Sequence, residues 1–358
     1  MKKVKIFLFF FLFVLFFLEI LGFAAYKSKL LEISHVPKLY LEKGYLPNDE
    51  WWIEDQEWGA WHKKNSSTFQ QRSCFNAKYT SNDIGARDSS FKSNSSKDII
   101  LLGDSFAEGY GVNYDNTSQK YIEDFTNLNV LNFGVSQNFG PVQYSIIYEK
   151  MARNFNHDLI LIYFLPNNDF SDNDFSNWRG SKRYRPYYKK IKDNYYNYFI
   201  PLNAHKNYMS YTKKLKKVFK DNLWSSNLFI NLSYQYKSFR SKKRQNNNFS
   251  AYFDTSLDQQ KAAIFFIEQI IDSSGKNVVL VSIPRLQDFI RYNSSSSLNT
   301  VYWNNYLINK DKLNDKFMFI DLIKHQPKDL NEIYLKCDGH WSPKGNEWAA
   351  KIISDFIK

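Results

Sequence analysis

The chain has 358 residues, 43% of them hydrophobic, enough for one large α/β domain with additions or two small domains. Its aromatic share of 18% goes with heavy use of Phe, Tyr, Lys, Asn and Ile, the residues of AT-rich codons, and carries no functional reading. The net charge is +12, and with only Cys74 and Cys337, no CxxC, no HExxH and no His/Cys cluster at zinc spacing, the sequence points to no metal site and no cofactor.

Residues 1–5 are basic, residues 6–18 are an unbroken apolar run, Glu19 interrupts it, and residues 20–25 resume it. This is about the ~20 residues that a spanning helix needs. Lys2, Lys3 and Lys5 precede it, which sets the N-terminus in the cytoplasm and the remainder outside. Residues 1–26 therefore read as a transmembrane signal anchor. The rival is a signal peptide, because Gly22 and Ala24 supply the small residues that cleavage needs. The length of the apolar stretch favours the uncleaved anchor; cleavage would make the protein secreted.

Residues 27–97 are polar and Ser/Asn-rich, with Trp51, Trp52, Trp58 and Trp61, and read as an extended lead-in that packs on the edge of the domain that follows. Five short apolar runs come next, at residues 98–102, 129–132, 158–165, 277–283 and 317–322. The longest are apolar on both faces, as strands buried in a parallel sheet are. Helical patterns lie at residues 118–127, 142–155, 256–273 and 344–357. This alternation predicts a parallel sheet covered by helices, with functional groups at the carboxyl ends of its strands. Residues 170–250 break the pattern as a basic, aromatic insertion. Between Arg179 and Arg244 stand 18 Lys and Arg against two acids, a net +16 that exceeds the charge of the whole chain.

Strand ends supply the candidate residues. The first ends in Gly103-Asp104-Ser105, where glycine permits a tight turn and the serine hydroxyl can stand above the sheet. An ordinary helix N-cap reads the same way. The second ends in Asn132-Phe133-Gly134, whose backbone N–H can donate to an oxyanion or simply belong to a turn. The third ends in Pro166-Asn167-Asn168-Asp169, a good turn sequence that also offers an amide donor. Near the C-terminus, Asp338-Gly339-His340-Trp341 sets a carboxylate two residues from a histidine, a pairing that suits a general base for a serine.

These four elements occur in the order of the sequence blocks of the SGNH (GDSL-type) serine hydrolases, and the chain resembles a membrane-anchored bacterial member. Ser105 matches the block-one serine, Gly134 block two, Asn168 block three and His340 block five. Residues 79–87 also look like segments that precede the domain in anchored members. The resemblance implies a three-layer α/β/α sandwich with a central parallel sheet, flavodoxin-like, over residues 98–358. It implies Ser105 as nucleophile, His340 as base, and an oxyanion hole of the Ser105 and Gly134 N–H groups and the Asn168 side chain. Two positions depart from the family pattern. Pro166 stands where glycine is usual, and Cys337 stands where the acid three before the histidine is usual. Asp338 is the acid that remains, its loop freed by Gly339. The arrangement D-x-H-W is similar to that of SGNH-like O-acetyltransferases of exported polysaccharides.

The expected activity is ester hydrolysis through an acyl-serine, on O-acyl or O-acetyl esters of envelope carbohydrate or lipid. The alternatives are O-acetyl transfer to an exported polysaccharide, or an inactive domain that binds glycan or a partner. The insertion at residues 179–244 is expected to meet anionic lipid or acidic glycan, and not nucleic acid. Its alternative is a solvated helical lid. A Cys74–Cys337 bridge would clamp the lead-in against the histidine loop, and two buried thiols are the alternative.

Overall fold

The computed structural model describes residues 2–28, 36–41, 43, 48–91, 98–178, 184–201, 211–244, 249–295 and 301–358. Residues 29–35, 42, 44–47 and 92–97 of the lead-in lie outside the described residues, as do 179–183, 202–210 and 245–248 of the insertion.

The apolar N-terminal run forms helix α1, Lys2–Lys27, long and apolar enough to cross a membrane by length and composition. The lead-in is more ordered than the sequence suggested. After a short turn of helix, α2 (Asn48–Trp51), β1 (Trp52–Ile53) pairs antiparallel with β2 (Trp61–His62). A second hairpin joins β3 (Ser67–Gln71) to β4 (Asn76–Thr80). Trp51, Trp52, Trp58 and Trp61 are buried and share one apolar core with the main sheet. Four indoles are too much apolar surface to leave on an edge, since each buries roughly 150–250 Å². The lead-in is therefore built into the core.

The main body alternates strands and helices. In chain order it contains β5 (Asp98–Leu102), the single turn α3 (Ser105–Glu108), α4 (Ser118–Thr126), β6 (Asn129–Asn132), α5 (Pro141–Lys150), β7 (Leu159–Phe164) and α6 (Pro166–Asp172). The insertion follows, with the hairpin β8 (Tyr187–Lys192) and β9 (Tyr195–Phe199), then α7 (Tyr211–Asn222) and α8 (Trp224–Arg244). After it come α9 (Ala251–Asp254), α10 (Leu257–Ser274), β10 (Asn277–Ser282), α11 (Leu286–Ser295), α12 (Tyr302–Leu313), β11 (Phe317–Asp321) and α13 (Pro343–Ile357).

The five strands β11-β10-β7-β5-β6 form one parallel sheet, and the five apolar runs of the sequence are these strands. β5 is buried along its whole length, as its doubly apolar sequence requires. The order also assigns the layers. β5 to β6 steps one way across the sheet, whereas β6 to β7, β7 to β10 and β10 to β11 step the other way. Right-handed crossovers then put α4 on one face and α5 and α10 on the opposite face. The contacts agree, for α13 packs on α4 and α10 packs on α5. The result is an α/β/α sandwich whose direction of winding reverses at β5. A reversal opens a crevice at the carboxyl end of that strand.

Candidate functional site

Gly103 follows β5, and its lack of a side chain is required by close approach. A Cβ there would stand 2.7 Å from the Ala107 Cβ and 2.9 Å from the Tyr163 Cβ. Asp104 caps the turn that follows, its carboxylate accepting the Phe106 N–H at 2.9 Å. Ser105 is thus the first residue of α3, above the sheet at the winding reversal. Its hydroxyl lies 2.7 Å from His340 Nε2. His340 Nδ1 donates to one carboxylate oxygen of Asp338, and Arg72 donates to the other.

The short Asp338–His340 spacing works because Gly339 lies at φ +86°, in the left-handed region, with open space around it. Its N–H and that of Asp338 both donate to the Leu335 carbonyl, which closes the turn. The His340 ring sits between Phe106 and Tyr110, with centroids 5.0 and 4.7 Å away. Burial alone would raise the Asp338 carboxyl. The hydrogen bond from His340, with the charges of His340, Arg72 and Arg285, outweighs burial and holds it at about 2. Asp338 is therefore an anion at neutral pH, facing the imidazole nitrogen that turns away from Ser105.

The remaining predicted residues gather at the same crevice. Gly134 follows β6 and lies hard against α3. A Cβ on it would meet the Glu108 backbone nitrogen and stand 2.6 Å from the Ala107 Cβ. The Gly134 N–H donates to the Asn132 side-chain oxygen at 2.8 Å. Glu108 fixes the rest of this loop by accepting the Ser136 N–H and facing His62 Nε2 at 3.4 Å, both side chains fully buried. Asn168 sits in the first turn of α6. Pro166 opens that helix as its first residue, which accounts for proline in the usual glycine position. The Asn168 amide donates to Asp104 Oδ2 at 3.2 Å and to Asp172 Oδ2 at 2.7 Å. Asp169 turns inward, accepting the Leu165 N–H and the Tyr144 hydroxyl. Burial, then the neighbouring Asp104, raises its carboxyl well above the usual range.

Two of the three expected oxyanion donors are thus engaged within the protein. The Ser105 N–H has no acceptor among the described residues. Asp104, raised by burial, is the weaker of the two Asn168 partners by distance.

A cleft of about 370 Å³ opens over these groups, lined by Trp52, Arg72, Ser105, Asn168, Arg285 and His340 among others. A larger cavity, about 540 Å³, lies at the amino ends of the strands beside Asp98, Asp158 and Asn277, away from the serine and histidine. No family model matches the chain, and no curated protein matches it. Among solved structures it is similar to a carbohydrate esterase family 2 enzyme with a carbohydrate-binding domain from Corynascus thermopiles. That likeness is at 12% identity over 75% of this chain and 67% of that one, with a TM-score of 0.40. A family 3 carbohydrate esterase from Clostridium thermocellum is similar at 12% identity over 73% of this chain and 94% of that one, TM-score 0.37. A member of the lipolytic G-D-S-L family from Veillonella parvula is similar at 12% identity over 73% and 98%, TM-score 0.36. Likenesses of this size do not assign a family or an activity.

Sequence reasoning missed Arg72. It follows β3 in the lead-in, and its guanidinium also lies 5.5 Å from the Tyr110 ring centroid. Cys74 and Cys337 are bonded, with Cα atoms 5.7 Å apart, so the bridge carries the β3–β4 hairpin onto the histidine loop. The signal was present in the two cysteines: Arg72 is two residues from one, and Asp338 adjoins the other.

Proposed function

We propose that the chain is a serine esterase of the SGNH type, with residues 98–358 as its hydrolase domain and α1 as an anchor that holds it outside the cytoplasm. The observation that carries this reading is the line Ser105–His340–Asp338, hydroxyl to imidazole to carboxylate, at the carboxyl end of the strand where the winding reverses. A serine hydroxyl is a weak nucleophile unless an adjacent base takes its proton, and the base needs its second nitrogen held.

The reaction runs in two steps. His340 Nε2 takes the Ser105 proton as Oγ bonds to the ester carbonyl carbon, and the carbonyl oxygen becomes an oxyanion. The Ser105 N–H is free to receive it. Gly134 and Asn168 contribute by turning from Asn132 and Asp104. Collapse breaks the ester C–O bond, and the leaving alkoxide takes the proton from His340. An acyl-serine remains. His340 then removes a proton from water, or from a sugar hydroxyl, which attacks the acyl carbon; the bond to Oγ breaks as His340 returns that proton to Ser105. Asp338 stays ionised and holds the imidazolium. Arg72 fixes the carboxylate from its other side.

The substrates we favour are O-acyl, foremost O-acetyl, esters of envelope carbohydrate or lipid. The cleft is open and lined by Trp52, Arg72, Asn168 and Arg285, a stacking ring with polar and cationic groups. Transfer to a polysaccharide hydroxyl is favoured over hydrolysis only by the D-x-H-W spacing. The test is turnover of an aryl acetate by the full chain, with and without a soluble glycan. Acetate in solution marks a hydrolase, and acetylated glycan marks a transferase. Loss of neither product in Ser105→Ala defeats the reading.

A further inference from the structure

Glu19 is the one acid within the apolar stretch of α1, and an ionisable residue in a spanning segment needs a partner. Its partner is the start of α8, a helix of 21 residues. The Glu19 carboxylate accepts the Trp224 N–H at 2.8 Å, the Ser225 N–H at 3.0 Å and the Ser225 hydroxyl. A helix N-terminus presents unpaired N–H groups and a positive dipole end, so it suits this charge. Gly22, one turn further on, lets the backbones close: a Cβ there would stand 2.9 Å from Trp224. Phe23, Tyr26 and Tyr40 pack around the Trp224 ring at 5.9, 4.5 and 5.2 Å. Lys38 pairs with Asp221 at the end of α7, at 3.5 Å.

The corner between α7 and α8 is therefore fastened to residues 19–26 of α1. If α1 spans a bilayer, as proposed above, about 20 residues from Val4 bring its outer boundary to this point. α7 leaves the corner with a stripe at i, i+4, i+7 and i+8 that nothing among the described residues covers. Tyr211, Leu215, Val218 and Phe219 are 80%, 45%, 55% and 47% exposed. Lys216, Lys217 and Lys220 fall on the opposite arc of the same helix. An apolar stripe backed by lysines is the pattern of a helix lying in a membrane interface. α8 adds exposed Phe229, Leu232 and Tyr236 at i, i+3 and i+7.

We propose that α7 lies in the outer-facing membrane interface, its apolar stripe at the acyl boundary and its lysines among anionic headgroups, and that Glu19 of α1 holds it there by capping α8. This refines the expected contact of the insertion to one helix and one occupant, the lipid surface. It makes α1 a structural part of the protein, since cleavage after Ala24 would remove both Glu19 and Gly22.

The test uses the full chain in nanodiscs of phosphatidylcholine with phosphatidylglycerol, spin-labelled at Val218→Cys or, separately, Lys217→Cys. Power saturation compares access by oxygen with access by a water-soluble nickel chelate. The expected result is oxygen access and chelate protection at 218, and the reverse at 217. In Glu19→Ala, chelate access at 218 should rise severalfold. Equal chelate access at 217 and 218 overturns the proposal. Protection of 218 from both relaxants also overturns it, in favour of a protein partner or a second copy. Unchanged access in Glu19→Ala overturns the capping role. Turnover of a soluble aryl acetate should persist in every variant, so failure here is distinct from failure of the esterase reading.

Discussion

Asp338→Asn is the most informative perturbation of the proposed mechanism. The carboxylate accepts from two donors, His340 Nδ1 and Arg72. An amide of the same shape has one acceptor and one donor end. Either orientation sets an N–H against an N–H donor, at His340 or at Arg72. If the arginine keeps the oxygen, His340 is driven to the tautomer with its proton on Nε2, which cannot accept the Ser105 proton. A loss of about three to four orders of magnitude in kcat is expected, with little change in KM. The effect on stability is separate. A buried carboxyl at about 2 against 3.8 carries roughly 2 kcal/mol of favourable interaction. Because the folded value is the lower one, this stabilisation is present above about pH 4 and is lost as pH falls through about 2. The variant should be less stable by about 2 kcal/mol at neutral pH, with the difference shrinking toward pH 2. Aryl acetate turnover and urea unfolding across pH measure the two effects. A near-normal rate would show that Ser105 and His340 work as a dyad and refute the role given to Asp338.

Asn168→Ala removes one proposed oxyanion donor and should lower kcat by about 10²- to 10³-fold with KM nearly unchanged, read from steady-state turnover; an unaltered kcat excludes the side chain from the hole. Gly134→Ala sets a methyl group against Ala107 and the α3 backbone. It should cost roughly 1–3 kcal/mol in unfolding and displace the loop, with activity falling at temperatures where the fold is intact. Cys74→Ser opens a bridge across 263 residues of sequence and should cost about 2–5 kcal/mol in chemical unfolding. It should also lower kcat, because Arg72 loses its tether to Asp338.

The sheet was legible because its strands are apolar on both faces, so each appears as a bounded run with no helical period. Helix ends were legible where capping chemistry is local: Ser342 Oγ accepts the Gly345 N–H at 3.2 Å and Pro343 opens α13. The site was legible where it sits at strand ends, as Ser105, Gly134 and Asn168 do. Long-range pairing was not. Arg72 reads as a surface charge, and only the pairing of nearby Cys74 with Cys337 brings it to Asp338. The insertion hairpin escaped notice because Tyr187–Lys192 and Tyr195–Phe199 are aromatic and lysine-rich without clean alternation, and their turn rests on Asn194 at φ +56°. Glu19 looked like an interruption of the apolar run because its partners are backbone N–H groups about 200 residues away. The departures at Pro166 and Asp338 have local causes, a helix opening and a left-handed glycine.

The proposed function stands or falls with Ser105 as a nucleophile activated by His340. The direct measurement is intact-protein and peptide mass spectrometry after incubating the full chain with an aryl phosphonate. One phosphonyl group per chain is expected, on the peptide that contains Ser105, absent in Ser105→Ala and formed much more slowly in His340→Ala. A folded protein that takes up no reagent, or takes it up equally well in Ser105→Ala, would contradict it.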